Sequence, residues 1–435
     1  MASTSDWLTY LFSLRRRGIK VGLHRTKALL NRCNNPHEEV PMIHIAGTNG
    51  KGSTAAMIAS VLKQAQRKVG LYTSPHLVTF NERIRVNDVP IDDKDIVAFL
   101  DRYRKDIDRL GSTFFETTTA LTFHHFARKK VDVAVMEVGM GGRLDSSNVG
   151  HSVLSVLTPV DVDHGEYLGY DLASITREKC GILRENVPVV VAPQHDDVLD
   201  IIRESASHAG SDISYAPEAS PVSDISVSRE GTRFYMENQW WKIPLLGKHQ
   251  ATNAQTAAIS CRLYDKAIAH TAIEEGLQKV FWPGRLQRVW DTPPVYYDVA
   301  HNPHGLAAVL ETLRDLFSGH TLGVVFGLKK KKDIRKIGHL LKQYCAHVVT
   351  TAPENGDFFT SDSLAHELSN LGIPSIAAPS LPRALDYCKT RSLPCDLWLI
   401  FGTHYISGDV FRRFHFPFDK DENWSKLIMT ARLDI

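Results

Sequence analysis

No stretch of this chain approaches the ~18 consecutive apolar residues that a membrane-spanning helix needs, and no membrane partner is expected. Cysteine is scarce and scattered. The six, at positions 33, 180, 261, 345, 388 and 395, include no close pair of metal-ligand or redox spacing. They fit small apolar residues of a reducing compartment, which makes a cytoplasmic location the default expectation. An excess of one charge is missing too. The 51 Lys and Arg against 49 Asp and Glu leave a formal +2, which exerts no general pull on nucleic acid or a membrane surface. The densest basic runs, Arg15-Arg16-Arg17 and Lys329 to Lys332, are short and read as solvated surface. Internal repeats and low-complexity segments are absent.

What is present is an ordinary globular composition, 43% hydrophobic and 23% charged, in 435 residues. That is too much chain for one core. At the N-terminus Trp7, Leu8, Leu11 and Leu14 recur at helical spacing. The stretch to Leu23 is therefore read as a helix of the folded protein and not as a transit peptide.

One stretch carries chemistry on its face. Pro41-Met42-Ile43-His44-Ile45-Ala46 runs apolar into Gly47-Thr48-Asn49-Gly50-Lys51-Gly52-Ser53, and Ala55, Ala56, Ile58, Ala59 and Leu62 follow as an amphipathic helix. Strand, glycine turn and helix N-terminus make an anion site: backbone N–H groups, the helix dipole and the Lys51 ammonium all favour phosphate. Ser53 is placed to ligate a magnesium ion carried by a polyphosphate. Ile45 stands where the usual phosphate-loop pattern has glycine, so the strict motif fails while its physical parts remain.

Further strands are expected at 69–72, 131–139, 152–157 and 187–192. Between them, Pro75 puts Ser74 on a loop, helices are expected over 96–110 and after Thr113, and another starts near Leu172. Glu137 ends a buried-strand pattern, where an acid commonly holds a nucleotide's metal. A solvated loop glutamate is the alternative. Residues 220–246 change to a polar, alternating pattern and read as a small antiparallel insert. The breakers of 282–285 and 291–294 mark a domain boundary, beyond which strands and helices alternate again. The expected fold is α/β. A P-loop-type, mostly parallel nucleotide-binding domain with the insert covers 1–290, and a smaller Rossmann-like α/β domain covers 291–435.

The residues then match a family in order along the chain. Gly47 to Ser53, Thr73-Ser-Pro-His-Leu77 with Glu82-Arg83, and Glu137-Val-Gly-Met-Gly-Gly-Arg-Leu-Asp145 are the first pieces. Asp163-His164, Glu178 to Ile182, Gly247 to Gln250 with Asn253, Trp282 to Arg285 and Asp298 to Asn302 follow. This chain resembles the folylpolyglutamate synthase and dihydrofolate synthase enzymes, a branch of the Mur-type amide ligases. The resemblance implies ATP and two Mg²⁺ ions, with Ser53, Ser74 and Glu137 around the first ion. His164 and Lys179 would hold the second, Lys179 being carbamylated. It places nucleotide contacts on Gly47, Thr48, Asn49, Gly50, Lys51, Gly52, Ser53, Asn253, Arg285 and Asp298. Lys51, Glu137, His164, Lys179 and His301 are the catalytic candidates, His301 as general base for an incoming amine. Thr113, Phe115, Asp145 and Ser146 are candidates for a pterin, Phe115 by stacking and Asp145 by hydrogen bonds to its edge. Ser146 stands where alanine is common in the family, and Thr403 replaces a usual serine.

The implied reaction joins L-glutamate to dihydropteroate, to a reduced folate, or to both, through an acyl phosphate. A ligase with only one of these activities is the nearest alternative, and a nucleotide-operated switch without ligation a remoter one. Small molecules, and no nucleic acid, are the expected partners of a monomer.

Overall fold

The computed structural model describes residues 4–416 apart from 19, 164, 354–356 and 391. It divides into two compact units. The first comprises Met1–Ile225, Arg233–Pro244 and His249–Val280; the second comprises Ser226–Thr232, Leu245–Lys248 and Phe281–Ile435.

The first unit is built on strands β1 (Pro41–Ala46), β2 (Val69–Tyr72), β3 (Ile84–Val86), β4 (Val89–Pro90), β5 (Val133–Glu137), β6 (His151–Leu157), β7 (Val189–Val191) and β8 (Ile213–Tyr215). They lie in the order β4-β3-β2-β5-β1-β6-β7-β8. Pairing is parallel from β2 across to β8 and antiparallel only at the β2-β3-β4 edge. Central parallel strands are covered on both faces, which explains why β1, β5 and β7 read as nearly continuous apolar runs, interrupted by His44 and ended by Glu137, and not as alternation. Met42, Ala134 and Met136 pack on a cluster that includes Phe99, Leu100, Phe123 and Phe126 from helices Asp93–Leu110 and Phe114–Lys129. Trp7, Leu11 and Leu14 of the N-terminal helix and the 3-10 turn after it join the same cluster. Each such side chain fully buried contributes about 1.5–3 kcal/mol, so the N-terminal helix is part of the core. Leu157, Val189 and Val191 belong to a second cluster with Ile175, Val198 and Ile202.

Residues 222–243 supply three consecutive strands, β9 (Val222–Ser228), β10 (Gly231–Met236) and β11 (Gln239–Ile243), in a sheet of order β11-β10-β9. The second unit holds β12 (Gln287–Asp291), β13 (Pro294–Tyr297), β14 (Leu322–Phe326), β15 (His347–Thr350), β16 (Ser375–Ala377) and β17 (Leu397–Phe401). Their order is β12-β13-β17-β14-β15-β16, parallel except at β12. Leu306, Leu310, Leu341 and Leu364 from its helices pack on Val324, Phe326 and Leu399. Among the described residues, no helix is long and apolar enough to cross a membrane.

Candidate active site

The turn after β1 is fixed by close approach. Gly47 has φ +147, and a Cβ there would collide with the Thr158 hydroxyl. Gly50 has φ +84, and a Cβ there would come within 2.5 Å of Asn253 Oδ1. The amides of Thr48 and Asn49 donate to the Pro159 carbonyl at 2.9 and 3.2 Å. The Thr48 hydroxyl donates to Asp161 O and accepts from Asp161 N. Those two loop amides therefore hold the neighbouring β6 connection and do not face inward as a phosphate cradle. The first-turn amides of helix Lys51–Gln64 precede its first hydrogen bond, Thr54 N to Gly50 O. With the helix dipole they are the loop's anion donors.

Two lysines meet on one carbonyl. Lys51 Nζ donates to Gly47 O at 3.0 Å and to Thr48 O at 3.1 Å; Lys179 Nζ donates to Gly47 O at 2.8 Å. Lys179 lies in the last turn of helix Leu172–Cys180 and is only 4% exposed. Burial, and then the Lys51 charge, push its pKa down to about 7. Ordinary lysines titrate near 10.4, so this amine is substantially neutral near pH 7.

Glu137 ends β5 and is buried, its Oε2 accepting the Ser74 amide at 2.9 Å. Ser53 is buried in the first turn after the loop. A methyl group placed on Gly139 would lie 3.3 Å from Asp145 Oδ2, 3.8 Å from Ser74 Oγ and 3.9 Å from the Phe115 ring. One point thus touches a residue read as a metal ligand and two read as pterin contacts.

Phe115 is 40% exposed, large for a phenylalanine, and Phe114 beside it is buried. Thr113 caps helix Phe114–Lys129 in a capping box with Glu116. Glu116 in turn takes the Arg25 guanidinium on both oxygens, at 2.9 and 3.2 Å. Ser146 Oγ bonds Thr119 Oγ1 at 2.7 Å and donates to the Phe115 carbonyl at 3.4 Å. Asp145 is buried, and burial pushes its pKa up. Its oxygens accept from the amides of Gly139, Met140 and Ser147 and from the Ser147 hydroxyl. Four hydrogen bonds fill a carboxylate's acceptor sites. Ser147 also bonds buried His44 at 2.9 Å, whose pKa burial lowers to about 3.

In the second unit, Asp298 follows β13 and accepts from Leu286 N (2.8 Å) and Ala300 N (2.7 Å). Burial raises its pKa, and Arg285 opposes the rise. Arg285 donates to Gly284 O, and His301 Nδ1 lies 3.0 Å from Val299 O. The first unit thus groups the residues 47–53, 74, 113, 115, 137, 145, 146, 179 and 253 around the ends of β1 and β5, and the second groups 285, 298 and 301 after β13. His164 lies outside the described residues.

Sequence reading missed the Pro159 carbonyl, which no side-chain pattern can signal. It also missed the Arg25–Glu116 pair; the signal available for Glu116 was Thr113 three residues ahead of it, a capping-box spacing.

Residues 45–261 match the Mur ligase middle domain and residues 284–404 the Mur ligase glutamate ligase domain. The chain is 34% identical over 426 residues to a dihydrofolate synthase/folylpolyglutamate synthase of Bacillus subtilis, covering 94% of this chain and 98% of that protein. Among solved structures it resembles a Mycobacterium tuberculosis folylpolyglutamate synthase complexed with ADP and AMPPCP, with a TM-score of 0.87 at 28% identity, over 95% of this chain and 99% of that one. An Escherichia coli FolC in complex with DHPP and ADP gives 0.83 at 28% identity, over 94% and 97%.

Proposed function

The chain belongs to the Mur ligase family, in its dihydrofolate synthase/folylpolyglutamate synthase branch, and from that premise we propose how its residues divide the work. It is an ATP-dependent ligase that joins L-glutamate to a pteroate- or folate-type acid. The first unit carries the phosphate loop and the candidate contacts to the acid, and the second matches the glutamate ligase domain. Both dihydropteroate and reduced folates are substrates, and the working form is a cytoplasmic monomer.

A carboxylate is a poor electrophile at neutral pH. Its oxygen attacks the γ-phosphorus of ATP, the new O–P bond forms as the β–γ bridge breaks, and an acyl phosphate and ADP result. The glutamate amine then attacks the acyl carbon, loses a proton, and phosphate leaves with its electron pair. His301 is the candidate to receive that proton. Lys51 and the first-turn amides hold the transferring phosphoryl group, for which Lys51 must leave the Gly47 and Thr48 carbonyls. Asn253 on the first unit and, separately, Arg285 and Asp298 on the second are the candidates for contacts to the rest of the nucleotide. Phe115, Thr113 and Ser146 face the acid, and Asp145 keeps their loop in shape.

The donor set fits magnesium: Ser53, Ser74 and Glu137 are hard oxygen donors. His164 and Lys179 would hold a second ion only once the lysine is an anionic carbamate, since an ammonium repels a dication. The lowered pKa of Lys179 supports this. A neutral amine adds to CO₂, forming the N–C bond and releasing a proton, where a protonated one cannot. Bound magnesium supplies charge neutralisation between the triphosphate and the incoming carboxylate.

The observation that carries the reading is the meeting of Phe115, Ser74 and Asp145 at Gly139, next to Glu137. The test is coupled ADP release with dihydropteroate and with tetrahydrofolate, each with and without L-glutamate. Release that needs glutamate with both acids supports the dual activity. Dependence with one acid alone makes the enzyme monofunctional, and ADP release indifferent to both overturns the ligase reading.

A further inference from the structure

A buried polar group left without a hydrogen bond is destabilising unless something completes it, and one guanidinium nitrogen of the first unit is in that position. Arg83 ends the 3-10 turn Phe80–Arg83 and is 3% exposed. Its Nε donates to His76 Nδ1 at 2.8 Å, while Nη1 is buried with no hydrogen-bond partner. The adjacent Glu82 does not take it up. Both Glu82 oxygens accept backbone amides, from Leu77, Val78 and Thr79.

The surroundings favour an anion. Arg15 and Arg83 both lie over the Phe114 ring, at 4.9 and 5.3 Å. Burial lowers the pKa of Arg83 and the Arg15 charge adds to that, against opposing contributions from Tyr72, Glu82 and Glu137. The rings of Phe12 and Phe80 stand 5.9 and 6.0 Å from Phe114. Two guanidinium groups among aromatic rings are the chemistry that recognises a carboxylate carried by or near an aryl group. The location fits as well: Arg83 O accepts the amide of Thr73 at 3.1 Å, and the next amide, of Ser74, reaches Glu137.

We propose that Arg83 binds the carboxylate of the acid that is to be activated, pinning one oxygen so that the other is presented to the γ-phosphorus. This rests on the reading that the chain ligates a pteroate-type acid. The pair is charge-assisted and formed away from water, where such contacts are strongest. Because the ionised carboxylate is what Arg83 recognises, an uncharged amide of the same acid lacks the contact.

The experiment compares binding of dihydropteroate and its carboxamide to the wild-type protein, Arg83→Lys and Arg83→Gln, by pterin fluorescence, with ADP affinity as control. Wild type is expected to bind the acid at least ~30-fold more tightly than the amide, as for a desolvated charge pair. Arg83→Gln should abolish that preference while keeping amide and ADP affinity. Arg83→Lys should retain part of it. Equal binding of acid and amide by the wild type, which requires no variant to fold, overturns the proposal. So does a preference that survives in Arg83→Gln. These arms read binding without turnover; a wild-type protein that prefers the acid yet releases no ADP with any pteroate acid and glutamate would sink the ligase reading and leave the Arg83 assignment standing.

Discussion

Replacing Lys179 by methionine should stabilise the protein and abolish its activity together. The lysine is 4% exposed and its pKa falls from 10.5 to about 7 through burial and the neighbouring Lys51 charge. At about 1.4 kcal/mol per pH unit, this amounts to at most about 5 kcal/mol against the folded state below pH 7. Methionine fills the same unbranched volume without the charge. It loses the hydrogen bond to the Gly47 carbonyl, about 1 kcal/mol, which Lys51 still covers. The sign with pH follows from proton uptake. Between about 7 and 10.5 the unfolded chain holds a proton that the folded chain has released, so wild-type stability climbs with pH. The gain from Lys179→Met is therefore full below pH 7 and fades toward pH 10.5. The assay is thermal unfolding in CO₂-free, metal-free buffer at pH 6.5, 8 and 9.5. At roughly 2–4 °C per kcal/mol, a rise of several degrees is expected at pH 6.5 and little at the highest pH. A variant that melts lower than wild type at pH 6.5, or a gain that ignores pH, would refute the reasoning.

Two other substitutions probe the supports of the site. Glu116→Ala strands the half-buried Arg25 guanidinium and breaks the capping box ahead of Phe115. A loss of about 2–4 kcal/mol in denaturant unfolding, with a raised KM for the acid and unchanged ADP affinity, is the expected result. A Cβ at Gly142 would stand 2.7–3.0 Å from backbone atoms of Glu178 and Lys179, which cannot yield cheaply. Gly142→Ala should cost about 1–3 kcal/mol and displace Lys179, read as a lower melting temperature and a lower kcat; full retention of both would contradict the close packing seen there.

Much of the first unit was legible because its signals are local. The β1 run, the glycines at 47 and 50 and the helix after Lys51 follow one another within two dozen residues, and each has a physical reason. Strand β16 was missed because three residues, Ser375–Ala377, show no period; β3 has three residues and β4 two. The site was harder. Lys179 on its own looked like any helix lysine, and its contact with the Gly47 carbonyl, 132 positions away, has no signal in the sequence. Asp145 is a pterin candidate from the family resemblance, and what the sequence could not display is the four hydrogen bonds it accepts from its own loop. Backbone amides and carbonyls, such as the Pro159 oxygen that holds Thr48 and Asn49, have no letter in the sequence. Arg83 lay inside a quoted motif, but the burial of its Nη1 without a hydrogen bond is a fact of packing.

Acyl phosphate formation is the step on which the whole account turns, and oxygen tracing reads it directly. Dihydropteroate labelled with ¹⁸O in its carboxylate, turned over with ATP and L-glutamate, should deliver one labelled oxygen to each phosphate released. Phosphate free of label, with amide product accumulating, would contradict attack of the acid on ATP.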